Sequence, residues 1–138
     1  LGGDAQIENA HPGRGLVATC TSVLARVKLV KAARGEVFLN EGIYGALMEM
    51  HQAPSLRPPH RVIRDGTLVD GDLEATTMFG PTCDPLDRLP GSWALPAGLR
   101  EGDFVEFGTL GAYGHATMTE FNGYGGHATV IVDKVHGL

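Results

Sequence analysis

Glycine and proline break this sequence so often that short strands and turns are its economical structure. There are 20 glycines and 8 prolines in 138 residues. Glycine loses the most backbone freedom on ordering and proline removes an N–H donor, so both punctuate regular elements. Between the breaks lie short runs rich in β-branched and aromatic residues. Val23, Ala25, Val27 and Leu29 alternate with Leu24, Arg26, Lys28 and Val30. That period of two marks a strand with one solvated face. Residues 37–39, 61–64, 74–79 and 104–107 predict further strands. Residues 117–121 and 128–135 predict two more, joined by the turn Asn122-Gly123-Tyr124-Gly125-Gly126. Residues 43–50 read as a short helix or an irregular strand, and 89–98 as a loop around Trp93. The expected fold is mainly β, a barrel or sandwich of roughly seven or eight short strands with one or two short helices.

The length suits one domain, and an apolar fraction of 43% suits a packed core. The net charge is −5 with no Lys/Arg run, which argues against nucleic acid. No apolar run approaches the ~18 residues of a membrane span. Leu1-Gly2-Gly3-Asp4 has neither the basic stretch nor the apolar core of a signal peptide, so a cytoplasmic location is expected. That start also lacks an initiator Met, so the sequence reads as a fragment, a processed piece or a recombinant piece. Two cysteines, Cys20 and Cys83, fit reduced thiols better than a disulfide framework. The 6 histidines show no spacing of a zinc site, so no metal is expected.

The densest chemistry lies in Gly80-Pro81-Thr82-Cys83-Asp84-Pro85-Leu86-Asp87. A thiol beside two carboxylates is a poor nucleophile, because nearby negative charge keeps it protonated. A protonated thiol is suited to donating a proton. From composition alone the simpler reading is a small buried apolar residue beside a loop-capping Asp.

That stretch, with Phe79 before it, resembles the signature loop of the ornithine/lysine decarboxylases, enzymes of the alanine-racemase-like fold that use pyridoxal 5'-phosphate (PLP). Other matches follow in chain order: His11-Pro12-Gly13-Arg14, Asn40-Glu41-Gly42-Ile43-Tyr44-Gly45, Glu101-Gly102-Asp103-Phe104, Gly111-Ala112-Tyr113 and Phe121-Asn122-Gly123-Tyr124. Each is weak alone; their order along nearly the whole chain is specific. The resemblance implies the C-terminal β-domain of such a decarboxylase, with residues 1–15 ending the N-terminal α/β barrel or linking to it and 16–138 forming the β-domain. It implies decarboxylation of ornithine or lysine to a diamine in polyamine biosynthesis, in a head-to-tail homodimer whose subunits share active sites. Cys83 is then the acid that protonates the α-carbon, and Asp84 accepts the distal ammonium of the substrate. Glu49 is a second carboxylate for that ammonium. Arg14, Gly13 and Tyr113 hold the PLP phosphate. Phe121 and His11 line the site, and Asp87 is structural or at a subunit contact.

Two departures from the pattern bear on activity. The lysine that holds PLP lies in the family's α/β barrel, and Lys28, Lys31 and Lys134 match no such motif. The family's Glu before Pro-Gly-Arg is His11 here, which removes the carboxylate that pairs with the protonated pyridine nitrogen. The isolated chain is therefore expected to be inactive. A non-catalytic homologue that binds partners, or an inactive fragment, stands as the alternative.

Overall fold

The structure, a computed structural model, describes residues 12–133. It is mainly β, as the breaks in the sequence require. Seven strands form among the described residues: β1 (Val23–Lys31), β2 (Glu36–Leu39), β3 (His60–Arg64), β4 (Thr67–Leu68), β5 (Leu73–Phe79), β6 (Trp93–Pro96) and β7 (Phe104–Phe107). Two short helices accompany them, α1 (Pro12–Val17) and α2 (Met48–Gln52). The strands make one sheet in the order β4-β3-β7-β1-β2-β5-β6. Neighbours run antiparallel except β2 and β5, which are parallel. No described helix is long and apolar enough to cross a membrane.

β1 is the spine of the sheet and shows how sequence sets its geometry. Ala25 and Val27 are buried while Leu24, Arg26 and Lys28 face solvent, as the alternation predicts. The pattern then slips: Leu29 is exposed and Val30 turns partly inward. The pairing of β1 with β2 shifts between Val27 and Leu29, an irregularity that inserts a residue and reverses the faces beyond it. Alternation read from sequence cannot register such a slip.

The sheet curls so that strands far apart in its order meet. His60 of β3 packs edge-on against Trp93 of β6 at 5.1 Å, and its Nε2 lies 3.1 Å from the Ala94 carbonyl. Trp93 also meets Phe107 of β7 at 90° between the rings. These rings close over a core that includes Val27, Leu39, Leu47, Met78, Leu95 and Val105. Burial of this apolar surface is the main favourable contribution to the fold.

Three expectations fail. Residues 89–98 are not all loop, because Trp93–Pro96 pair with β5 as β6. Trp93 and Leu95 point into the core, and that inward alternation outweighs the flanking prolines and glycines. Residues 117–121 and the described part of 128–135 form no strands, and Asn122–Gly126 makes no hairpin. Instead Thr119 donates its N–H to the Tyr44 carbonyl, and Phe121–Gly123 wind into a 3-10 turn. Tertiary hydrogen bonds capture this segment before it can pair with itself.

Candidate active site

The loop after β5 is built around Asp87. Phe79 bridges to Arg88, and the Gly80 N–H donates to the Asp87 carbonyl at 2.8 Å, so the loop returns to its origin. The Asp87 carboxylate turns inward at 1% exposure. It accepts the N–H groups of Ile43 (3.0 Å) and Thr82 (3.1 Å) and the Thr82 hydroxyl (2.7 Å). Gly42 and Gly80 press against it, and a Cβ on either would strike it. Asp87 is therefore structural in this domain: it satisfies buried donors and ties the Glu41–Gly45 turn to the Cys83 loop.

Cys83 and Asp84 stand at the loop's outer edge. Cys83 has φ +60°, a left-handed conformation that costs a non-glycine residue strain, and its thiol is exposed. Asp84 Oδ1 accepts the Leu86 N–H at 2.8 Å, and Oδ2 accepts the Tyr44 hydroxyl at 2.8 Å. The Leu86 N–H first, and the Tyr44 hydroxyl next, hold the Asp84 carboxyl below its ordinary range. The same bond to Asp84 pushes the Tyr44 phenol up. Tyr44 in turn stacks on Phe121, ring centroids 4.3 Å apart. Asn122 donates to the Thr82 carbonyl at 3.0 Å, so the segment after Tyr113 also grips this loop. A cavity of about 740 Å³ opens beside Cys83 and Asp84, walled by Leu29, Phe38, Phe79 and Tyr124.

Arg14, Glu49 and Tyr113 form a second group. The Arg14 guanidinium lies 5.0 Å over the Tyr113 ring, and its Nη1 pairs with Glu49 Oε1. Glu49 is buried; Arg14 and Tyr113 are open to solvent. A Cβ added to Gly13 would meet no other described residue within 4 Å. The ion-pair partner of Glu49 is thus Arg14, and the contact of Asp84 is Tyr44. Segment 40–52 carries one member of each group, Tyr44 and Glu49. His11 lies outside the described residues.

A guanidinium held at one edge beside a solvent-facing phenol suits a phosphate monoester, which both can donate to. The described residues therefore fit the phosphate end of PLP. No group of three or more His, Cys, Asp or Glu among them is arranged to hold a metal ion. Tyr44 is the partner of Asp84 that sequence reasoning missed. It sits in the quoted Glu41-Gly42-Ile43-Tyr44-Gly45 stretch, but 40 residues separate it from Asp84. Glu41 in the same stretch is pushed up, mainly by burial, although its Oε1 accepts the Gly42 and Ala46 N–H groups.

Comparison with known proteins identifies the family of the fold. Residues 16–111 match the family described as pyridoxal-dependent decarboxylase, C-terminal sheet domain. The chain is 33% identical over 137 residues to an ornithine decarboxylase of Schizosaccharomyces pombe, covering 90% of this chain and 31% of that protein. It is 30% identical over 132 residues to antizyme inhibitor 2 of Xenopus laevis, covering 83% of this chain and 28% of that protein. Among solved structures, a lysine/ornithine decarboxylase of Vibrio vulnificus complexed with cadaverine superposes with a TM-score of 0.72 at 30% identity, over 88% of this chain and 32% of that one. The chain thus spans about a third of the length of these relatives. The ordered motifs, the curled sheet and the family match agree: the chain belongs to the pyridoxal-dependent decarboxylases, as their C-terminal sheet domain.

Proposed function

We propose that this domain supplies part of the active site of a PLP-dependent decarboxylase that converts ornithine or lysine to a diamine for polyamine biosynthesis. The observation that carries the reading is the Cys83-Asp84 edge: an exposed thiol beside a carboxyl held low, facing a cavity. A carboxyl held low stays ionised near neutral pH and complements the distal ammonium of a diamino acid. Cys83 Sγ, free of any disulfide, donates its proton to the α-carbon after CO₂ leaves. PLP, when bound, supplies an electron-accepting ring for that step. Arg14 and Tyr113, with Gly13 leaving room beside them, hold its phosphate. Phe121 braces Tyr44 and so Asp84.

In this reading residues 1–15 join the β-domain, 16–138, to an α/β barrel that carries the PLP lysine. Two subunits pair head to tail in the cytoplasm, with Cys83 and Asp84 serving the partner's cofactor. The test is CO₂ release from ornithine and lysine by the complete natural polypeptide. Cys83→Ala is expected to lower turnover roughly 100-fold, the scale of a positioned proton donor. Unchanged turnover in that variant removes the thiol from the mechanism. A second reading, a non-catalytic homologue that binds a protein partner, is favoured by His11 in place of an acid and by the similarity to an antizyme inhibitor. Absence of CO₂ release from a wild-type polypeptide that does bind PLP decides for it.

A further inference from the structure

The Arg14–Glu49 pair is unusual in how it is buried. The Glu49 side chain is 4% exposed, against 43% for Arg14. Among the described residues neither Glu49 oxygen has a hydrogen-bond partner beyond this ion pair. A carboxylate in that position is costly unless a cation meets it, so the guanidinium is drawn to it.

What Arg14 would do without Glu49 follows from its surroundings. It lies in α1, six residues long, and Gly13 to Val17 are all exposed. None of the described side chains of α1 is packed in the core. Glu49, by contrast, sits in the first turn of α2 beside Met50, which is fully buried. Glu49 therefore offers a rigid anchor to a guanidinium on a loosely packed element. It takes one edge of the group, at Nη1, and the Tyr113 ring covers one face. A guanidinium has further N–H donors beyond the one at Nη1, and Arg14 and Tyr113 are both open to solvent.

We propose that Glu49 is a positioning residue that fixes Arg14 against Tyr113 and so presets the pair for a phosphate monoester. This rests on the reading of Arg14 and Tyr113 as the phosphate site, and it assigns Glu49 to that end of the cofactor and not to the substrate's distal ammonium. Presetting lowers the ordering cost of binding, so the benefit falls on ligands that carry the phosphate.

The experiment compares dissociation constants of PLP and of pyridoxal, which lacks the phosphate, by equilibrium dialysis against the complete natural polypeptide. Glu49→Ala is expected to weaken PLP about tenfold and to leave pyridoxal unchanged. Glu49→Gln keeps an acceptor for Nη1 and is expected to restore most of the loss. Glu49→Asp draws the carboxylate back from Arg14 and gives the same selective loss if the alanine variant does not fold. Equal weakening of both ligands would mark a merely structural pair and overturn the proposal, as would unchanged or tighter PLP binding in the alanine and aspartate variants. If the wild type does not prefer PLP to pyridoxal, or Arg14→Gln leaves that preference intact, the phosphate site itself is misassigned and both readings fall.

Discussion

Asp87 and Asp84 lie three residues apart and do opposite things. Asp87 spends its carboxylate inward on Ile43 and Thr82, while Asp84 faces outward and is held low by Leu86 and Tyr44. Sequence spacing could not separate these roles, since both carboxylates flank the same thiol. Burial separates them. Asp87→Ala leaves two N–H groups and one hydroxyl without an acceptor in the interior. Each orphaned donor costs on the order of 1 kcal/mol or more, so a loss of roughly 3 kcal/mol in urea unfolding is expected. A loss well under 1 kcal/mol would mean that water satisfies those donors. The family motif made Cys83, Asp84, Arg14 and Tyr113 legible as candidates. The Tyr44–Asp84 and Arg14–Glu49 contacts were not legible, because each joins side chains that only the folded chain brings together.

At the scale of elements, strand register is tied by charged pairs as well as by backbone bonds. Arg64, at the end of β3, clamps Asp103, just before β7, through Nε and Nη2 at 2.7 Å each. Arg64, together with the Arg100 N–H, holds the Asp103 carboxyl low against the opposing effect of burial. A carboxyl depressed in the folded state stabilises that state above its unfolded pKa, about 3.9 for Asp. The contribution is lost as pH falls through the lower folded value. Wild type should therefore melt above Asp103→Asn at neutral pH, with the two melting temperatures converging in acid. A gap independent of pH would show that the clamp works through shape and not charge. β1, β2, β3, β5 and β7 were readable as short β-branched and aromatic runs between breaks, and β1 also from its alternation. β6 was masked by its prolines and glycines, and the strand predicted at 117–121 gave way to bonds with Tyr44.

For the molecule as a whole, the largest fully buried side chain sits where the curled sheet meets itself. Trp93, the only tryptophan of the chain, is 1% exposed between His60 and Phe107. Trp93→Ala is expected to cost about 3–5 kcal/mol, the range for deleting a buried large aromatic ring. The native protein should also show tryptophan emission of a dry environment that moves red in one step with the loss of far-ultraviolet dichroism. Separate transitions for the two signals would mean that the curl opens before the strands part.

The sequence by itself determined the local grammar. Frequent breaks excluded long helices, short β-branched and aromatic runs marked most strands, and the ordered motifs gave the family and its candidate residues. These are properties of neighbours along the chain, and they survive without knowledge of the fold. The tertiary structure alone decided which candidate meets which. It set the slip in β1, the burial of Asp87, the capture of residues 119–122 by Tyr44 and Thr82, and the pairing of Glu49 with Arg14. For Asp87 and Glu49 the physical reason is burial; the other two join segments that are distant along the chain. Hydrogen bonds and charges gain most where water is excluded, and which groups lose their water is a property of the packed molecule.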